Sequence, residues 1–300
     1  MQRSHLLMWA AAAAFVSAPA LAQKTASQGI DEYRAMLQDG NPSELFEAKG
    51  EGLWTQKRGP KNASLEKCDL GKGPGVVKGA FVELPRYFAD TARVQDLESR
   101  LLTCMETLQG LNAAEIAKTS FGKGEQNNVT ALATWIAAES KDMRFNLPQK
   151  HPQEKVFYEV GKRLFYQRGG AHDFACASCH GEDGKRIRLQ DLPNLTKNPG
   201  DGIGFAAWPA YRVSNGQMWG MQQRLNDCYR QQRFPYPGFG SDATIALGVY
   251  LGVNSKGSAS IAPAIKRGAG GQADEQKNFL DSGGFCGRSG GRLCHRPERH

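Results

Sequence analysis

The most constraining feature of the chain is the pentapeptide Cys176-Ala177-Ser178-Cys179-His180. This pattern can attach a c-type haem, because the two thiols add to the haem vinyl groups and the adjacent imidazole reaches the iron. A thioredoxin-type redox motif and half of a zinc site are the alternatives. The helical pattern before the motif disfavours the first, and no second ligand pair of comparable spacing follows in the sequence to complete the second. A helix, the motif, a loop and two further helices follow one another, as a small c-type cytochrome domain requires.

The first 22 residues are predicted to be a signal peptide. Arg3 and His5 precede an apolar run over 6–16, and Ala20-Leu21-Ala22 forms a small-x-small cleavage site. The apolar run is too short to cross a membrane, and no later run approaches the ~18 apolar residues of a membrane span. We therefore expect a soluble protein exported to the periplasm, where haem is attached and disulfides can form.

Charge and cysteine content limit the partners of the chain. The formal net charge is +8 at pH 7, and a basic surface attracts nucleic acids, acidic proteins or small anions. Export of a haem protein argues against nucleic acid. The cysteine count is 7, an odd number, so at least one cysteine neither pairs in a disulfide nor holds the haem.

Helical periodicity recurs along the chain and strand-like alternation is scarce, so the predicted fold class is all-α. Helices are predicted over 28–56 with a break at 41–43, and over 94–108, 127–139, 153–167, 216–232 and 241–253. The predicted division is a first domain over 23–146, a linker over 147–152, a haem domain over 153–253 and a tail over 254–300.

The tail is rich in glycine and arginine and shows little apolar periodicity, so it is predicted to be flexible. Its Cys286 and Cys294-His295 do not have the spacing of a haem site. A Cys286–Cys294 disulfide is the expected use of these residues, and a metal site is the weaker alternative.

Two pairs of similar segments, in the same order, indicate an internal duplication. These are Ala131–Ile136 with Ala246–Leu251, and Arg100–Cys104 with Arg224–Cys228. On this interpretation the chain has two cytochrome c-like domains in tandem, and only the second holds a haem. Cys68 and Cys104 are then free to form a disulfide, which stabilises a domain by roughly 2–4 kcal/mol. Two unpaired buried thiols are the alternative, which an oxidising compartment disfavours.

Cys228 is left over, and it lies in the region where simple c-type cytochromes supply their second axial ligand. That ligand is commonly methionine, so Met218 and Met221 compete with Cys228 for the iron. Arg224 lies one helical turn before Cys228, where its charge would lower the pKa of the thiol and its donors could bind an oxyanion. The simpler alternatives are a surface charge for Arg224 and a small buried apolar residue for Cys228.

The chain resembles the SoxA family, the catalytic subunits of the SoxAX cytochromes of bacterial thiosulfate oxidation. The resemblance covers about 31–253, and the tail lies beyond the usual end of the family. It depends on the segments 58–62 (RGPKN), 65–71 (LEKCDLG), 84–88 (LPRYF), 176–180 (CASCH) and 224–228 (RLNDC). Cys68 begins no Cys-x-x-Cys-His motif, so the chain resembles the members with a single haem.

The resemblance implies both a site and a reaction. Cys228 would be the distal ligand of the iron opposite His180 and also the catalytic thiol, carried as a persulfide, and Arg224 would hold the anionic substrate. The chain would act as an L-cysteine S-thiosulfotransferase that joins thiosulfate oxidatively to a cysteine of the carrier SoxYZ. Two electrons would pass to a SoxX-like partner subunit and on to a soluble c-type cytochrome. The alternative functions are a non-catalytic electron carrier with His180 and Met218 or Met221 as ligands, and a haem-based sensor.

Overall fold

The computed structural model describes residues 26–36, 40–187, 190–196 and 203–265. The predicted signal peptide lies outside these ranges, as do Cys286, Cys294 and His295. The α-helices of the described part are α1 (Ala26–Met36), α2 (Ser43–Thr55), α3 (Leu97–Cys104), α4 (Ala113–Lys118), α5 (Gly124–Ala138), α6 (Pro152–Tyr166), α7 (Cys176–His180), α8 (Ile203–Ala206), α9 (Met221–Gln231) and α10 (Asp242–Asn254). No helix within the described ranges has the length and apolar character needed to span a bilayer.

Short strands accompany the helices. They form an antiparallel pair of β1 (Arg86–Phe88) with β2 (Arg93–Gln95), a second pair of β3 (Arg186–Ile187) with β4 (Gln190–Asp191), and a sheet in which β5 (Ala210–Arg212) lies between β6 (Gln217–Trp219) and β7 (Ala264–Ile265). The fold is therefore mainly helical with small sheets, and the all-α prediction missed these strands. Strands of two or three residues are too short to show a period in the sequence.

The predicted helices agree best where the apolar stripe is long. Helices α5, α6 and α10 lie within a few residues of their predicted bounds. The predicted helix over 216–232 is wrong at its start, because Gln217–Trp219 pair with β5 and α9 begins only after Gly220. The helix predicted over 94–108 begins at Leu97, because the preceding residues belong to β2, and it continues as a π-helical turn over Met105–Gln109.

Two close helix crossings organise the two halves of the chain. Helix α2 packs on α5, and α6 packs on α10. A Cβ on Gly50 of α2 would lie 2.2 Å from the carbonyl oxygen of Ala131, and a Cβ on Gly161 of α6 would lie 2.0 Å from that of Ala246. Only glycine permits backbones to approach so closely. Each half therefore has one crossing of the same kind, at equivalent points of the repeated segments.

Further local features recur in both halves. In each half, the first helix of the crossing is followed by a turn that a β-bridge closes. The turn after α2 contains Gly59 and the turn after α6 contains Gly170, and both glycines have a positive φ. The bridges are Arg58 with Ala63 and Gly169 with Phe174. A three-residue hairpin then precedes a helix in each half, β1–β2 before α3 and β5–β6 before α9.

The two halves share one buried core. Phe145 is fully buried and makes edge contacts with Phe81 of the first half, at a ring separation of 5.6 Å, and with Phe205 of the second, at 5.3 Å. Leu147, in the predicted linker, is buried in the same cluster. The segment between the halves is thus part of the packing that joins them.

The start of the predicted tail differs from the expectation. Residues 254–265 are packed against the fold, whereas the division of the sequence assigned them to a flexible segment. The Ser258 carbonyl accepts from Phe145 N and the Ser260 amide donates to Met143 O, while β7 pairs in parallel with β5. Ala262 and Ile265 are fully buried. Their ordering depends on backbone pairing with distant segments, which has no local sequence signal.

Candidate functional site

The haem motif forms the short helix α7. The bridged turn at Gly169 and Phe174 leads from α6 into it, and the Ala175 amide donates to Ser178 Oγ at 3.0 Å, which caps its first turn. Cys176 and Cys179 therefore lie one turn apart, with His180 at the end of the helix. Both thiols are free. The structure places all three motif residues on a single rigid element.

His180 is held in one orientation by the loop that follows. Its ring Nδ1 lies 2.9 Å from the carbonyl oxygen of Pro193. Because a carbonyl oxygen can only accept, Nδ1 carries the proton and Nε2 is left with its lone pair. The Leu195 amide donates to the His180 carbonyl at 2.9 Å, which fixes the loop against the helix. Burial lowers the pKa of His180 and the Arg224 charge lowers it further, against the effect of the Pro193 hydrogen bond. The imidazole is therefore neutral, as a metal ligand must be.

Helix α9 brings a third free thiol to the motif. Burial, reinforced by the charge of a Cys228 thiolate, raises the pKa of Cys176 to about 12 and also raises that of Cys179. Burial raises the pKa of Tyr229 to about 12, and the two thiolates Cys176 and Cys228 add to this effect. The effect of the Cys228 charge on both motif thiols indicates that Cys228 lies near Cys176 and Cys179. The role of Cys228 at the haem motif remains a prediction, which these charge effects support.

A cluster of cations surrounds one carboxylate on the same helix. Asp227 Oδ2 accepts from Arg212 at 3.0 Å and from Arg224 at 3.2 Å, and its Oδ1 accepts from Arg230 at 2.6 Å. Burial alone would raise the pKa of Asp227, but the hydrogen bonds from Arg230 and Arg212 and the charges of Arg212 and Arg224 outweigh it and hold the pKa below its ordinary value. Three guanidinium groups against one carboxylate leave a positive field beside His180 and Cys228.

Two tryptophans limit the directions of two of these arginines, Arg212 and Arg224. The Arg212 guanidinium lies 4.2 Å from the centroid of the Trp219 ring, and that of Arg224 lies 5.7 Å from the Trp208 ring. Stacking on an aromatic face limits the orientations of a guanidinium. The Arg224 side chain is only 18% exposed, so the simple surface-charge alternative does not describe it.

The two competing methionines belong to β6 and to the first turn of α9. Met221 packs with Trp208, Ala210 and Trp219 and lines a cavity between the two halves. Met218 is buried in β6, where its backbone pairs with Tyr211 of β5.

Sequence reasoning missed part of this arrangement. Asp227 lies three residues from both Arg224 and Arg230, so the i,i+3 spacing on a helix was a usable signal. Arg212 comes from β5 and the Pro193 carbonyl from a loop, and neither has a local pattern that would have indicated its role.

In the first half, the structure has a disulfide between Cys68 and Cys104, with Cα atoms 5.6 Å apart. Arg100, one turn before Cys104, donates to the Asp69 carbonyl at 2.7 Å and pairs with Asp90 at 2.8 Å. Cys104 and Arg100 thus have the same spacing as Cys228 and Arg224 but are fully engaged with neighbouring groups.

The residues of the second half fit a covalent haem c. Two free thiols lie one turn apart, a neutral imidazole has an available Nε2, and a third sulfur lies beside them. This donor set would supply both attachment points and, in His180, one ligand of the iron.

Comparison with known proteins gives one family. The model described as the SoxA/TsdA cytochrome c domain matches residues 49–145. The L-cysteine S-thiosulfotransferase subunit SoxA of Hydrogenophilus thermoluteolus is 55% identical over 240 residues, which cover 80% of this chain and 88% of the relative. A subunit of the same name from Hydrogenobacter thermophilus is 34% identical over 227 residues, which cover 75% of this chain and 82% of the relative.

A solved structure shares the fold. SoxXA from P. pantotrophus aligns with a TM-score of 0.65 and 23% identity, over 81% of this chain and 86% of that chain. The level of identity to the two curated relatives, maintained over most of both chains, goes beyond a shared fold. From its haem motif, its matching relatives and its cytochrome c domain, the chain belongs to the SoxA family.

Proposed function

We propose that the chain is an L-cysteine S-thiosulfotransferase subunit, which couples thiosulfate oxidatively to a cysteine of a carrier protein. The relatives that bear this name match the chain over most of their length. In the overall reaction a sulfur–sulfur bond forms between the carrier cysteine and the outer sulfur of thiosulfate. The carrier thiol loses its proton, and two electrons leave to c-type cytochromes. The product is an S-thiosulfonated cysteine, and no atom other than the proton is released.

One observation carries this proposal. Helix α9 places the free Cys228 beside Cys176 and Cys179, with Arg224 close enough to His180 to lower its pKa. A nucleophilic sulfur, an anion-binding guanidinium and the attachment residues of a redox group are therefore close to one another. An electron carrier needs no such thiol and no such cation.

The cofactor assignment follows from the donor set. Cys176 and Cys179 would hold one haem c, with His180 Nε2 and the Cys228 sulfur as its axial ligands. When bound, this group supplies one-electron redox chemistry beside the thiol. Because the coupling removes two electrons, a second one-electron acceptor is required nearby. A SoxX-like cytochrome subunit fills this role, and the solved protein that shares the fold is SoxXA of P. pantotrophus.

The roles of the remaining residues follow from their contacts. Arg224 binds the sulfonate oxygens of thiosulfate, because its planar donors match two oxygens at once. Asp227 holds Arg224 in place through an ion pair. Because Arg212 and Arg230 pair with the same carboxylate, the net charge around Arg224 remains positive. Cys228, carried as a persulfide, would bond through its outer sulfur to the outer sulfur of the bound anion as two electrons leave to the c-type cytochromes. The carrier thiolate would then displace this persulfide and take over the thiosulfate group.

The first half acts as a haem-free cytochrome c-like domain in tandem with the second. The equivalent helix crossings at Gly50 and Gly161 support this division, as does the match of the family model to residues 49–145. Leu65 and Cys68 stand in the first half at the spacing of Cys176 and Cys179, after bridged turns of the same form. The single haem count follows, because Leu65 cannot form a thioether.

The setting of the reaction is the periplasm, reached through the signal peptide at 1–22. The carrier is SoxYZ, which presents its cysteine on a flexible arm, and a soluble c-type cytochrome takes the electrons from the SoxX-like subunit. The basic charge of the chain suits an anionic substrate.

The test is the variant Cys228→Ala in the complex with its partner subunit. We expect covalent haem to remain, because Cys176 and Cys179 are unchanged, and transfer of thiosulfate to the carrier to fall by about 10³-fold or more. Asn226→Ala, on the same helix, is the control and keeps its turnover. Unchanged turnover in Cys228→Ala would remove this thiol from the mechanism. The intact mass of the mature protein counts the haems and reveals an added sulfur atom.

A further inference from the structure

The two halves meet at a buried carboxylate that no step above uses. Glu98, in the first turn of α3, is 5% exposed. Its Oε2 accepts from the backbone N–H of Gln222, in the first turn of α9, at 3.0 Å. Its Oε1 is buried and has no hydrogen-bond partner among the described residues. This oxygen lies at a cavity of about 40 Å³ between the halves.

The contact compensates for a difference between the two helices. Helix α3 is capped within its own half, because Asp96 precedes it and its side chain accepts from Ser99 N at 2.8 Å. Helix α9 begins after Gly220, which has no side chain to cap it. A Cβ at Gly220 would lie 2.3 Å from Glu98 Oε1, so the missing side chain is what admits the carboxylate. The first turn of α9 is thus capped from the other half.

A second contact ties the same two turns together. The Gln222 side chain donates from Nε2 to Asp96 Oδ2 in a short hydrogen bond, and its Oε1 accepts from Gly240 N at 3.2 Å. Gln222 is 1% exposed. The position of α9 along its own axis is therefore fixed by two carboxyl groups of the first half, those of Asp96 and Glu98.

We propose that Glu98 is a positioning residue for the thiosulfotransferase reaction, which sets the position of Arg224 and Cys228 by holding the first turn of α9 from the haem-free half. The inference rests on the proposed function for the identity of the reaction. It gives the first half a part in the chemistry although it holds no haem. Arg224 lies two residues after Gln222 and its amide donates to the Gly220 carbonyl, so any shift of this turn moves the anion-binding group directly.

The protonation of Glu98, at the contact between the two halves, gives a second readout. Burial raises the pKa of Glu98 to about 8, and the charge of Asp96 raises it too, while the Gln222 N–H lowers it. Apart from Asp96 and Glu98, the cavity is lined by non-titratable residues, including Trp208, Met221 and Thr244. Ionisation of Glu98 places a second negative charge beside Asp96, at the N-terminus of the helix that carries Cys228.

The experiment compares Glu98→Ala with Glu98→Gln in the haem-bound protein with its partner subunit. We expect Glu98→Ala to lower kcat/KM for thiosulfate by about ten- to a hundredfold per haem, since small misplacements of reacting groups have effects of this size. Glu98→Gln keeps an oxygen that can accept from Gln222 N, so it should restore kcat/KM to within about threefold at neutral pH. Glu106→Ala, an exposed carboxylate just after α3, is the matched control and is expected to change nothing.

A pH titration of the haem absorption and electron paramagnetic resonance spectra provides a readout besides turnover. Between about pH 6 and about pH 9.5 the wild-type spectra should show a transition near the pKa of Glu98, which Glu98→Gln lacks. Wild-type kinetics in Glu98→Ala, a loss that Glu98→Gln does not restore, or a transition that survives in Glu98→Gln would each overturn the proposal. If Glu98→Ala does not fold, the spectra of Glu98→Gln decide. These spectra are independent of which residue performs the transfer, so failure here is distinct from failure of the Cys228→Ala test.

Discussion

The same pair of residues has opposite fates in the two halves of this chain. In α3, Cys104 is bonded to Cys68, and the Arg100 side chain is 4% exposed between Asp90, the Asp69 carbonyl and the face of Phe88. In α9, Cys228 is free and the Arg224 side chain is 18% exposed beside His180. Both pairs have an arginine one turn before a cysteine. The groups that surround the pair therefore determine whether its arginine and cysteine are free to react. The spacing between the two residues does not determine this.

The comparison also shows how one fold can serve two purposes. In the second half Cys179 and Cys228 are free, whereas in the first half Cys68 and Cys104 are joined to each other. A covalent bond across this position holds the helix α3 to the loop at Cys68, as a bound haem would hold α9 to α7. The first half can then act as a rigid support for the second.

Removal of the disulfide should distinguish most strongly between structural support by the first half and reaction in the second half. We expect the double variant Cys68→Ala and Cys104→Ala to lower the free energy of unfolding by roughly 2–4 kcal/mol, because the unfolded chain is no longer constrained. Turnover per folded molecule should stay within about twofold of the wild type, since the thiols of the second half are untouched. Denaturant unfolding and steady-state kinetics on the same sample measure the two effects. A loss of turnover in fully folded protein would show that these cysteines act in the reaction itself.

Substitution of Arg224 and of Arg100 should have opposite effects, the first on KM for thiosulfate and the second on stability. Arg224→Ala should raise KM for thiosulfate by about tenfold or more with a smaller effect on kcat, because it removes a charge-assisted contact to the anion. Arg100→Ala should leave KM unchanged and lower stability, because it leaves Asp90 and the Asp69 carbonyl without their partner. Arg163→Ala, an exposed arginine on α6, controls for a general change of charge. An unaltered KM in Arg224→Ala would return this residue to a structural role.

The junction between the halves should make stability depend on pH. Because the folded pKa of Glu98 is about 8 and its ordinary value is 4.5, the folded protein keeps a proton that the unfolded chain loses. The contribution of this group to the free energy of unfolding is therefore greatest below about pH 4.5 and falls as the pH rises towards about 8, by up to ~1.4 kcal/mol per pH unit.

Denaturant titrations at a series of pH values, in the wild type and in Glu98→Gln, measure this slope. We expect the variant to lack this contribution, because glutamine does not titrate. Equal slopes in the two proteins would mean that Glu98 is already ionised in the folded state at neutral pH.

Much of the architecture could be predicted from the sequence, for a physical reason. Long runs rich in apolar residues indicated α5, α6 and α10, and the spacing of Cys176, Cys179 and His180 predicted a haem-attachment motif, which lies on α7. Signals of this kind are local, because they depend only on the spacing of residues along a single helix.

What could not be predicted depends on contacts between distant segments. The strand β6 in place of the first turns of a helix, the packing of residues 254–265 and the capping of α9 by Glu98 all require a partner far away in the chain. Arg212 reaches Asp227 from another element for the same reason. Asp227 itself could have been found from its spacing to two arginines.

The identity of the ligand opposite His180 is the point on which the contrast between the halves depends. The absorption spectrum of the oxidised haem protein tests it most directly, with Cys228→Ala beside the wild type. The wild type should lack the weak band near the red end of the spectrum that methionine ligation gives, and Cys228→Ala should alter the spectrum because it removes the sulfur ligand. A methionine-type band in the wild type, unchanged in Cys228→Ala, would contradict the account and leave Cys228 without contact to the iron.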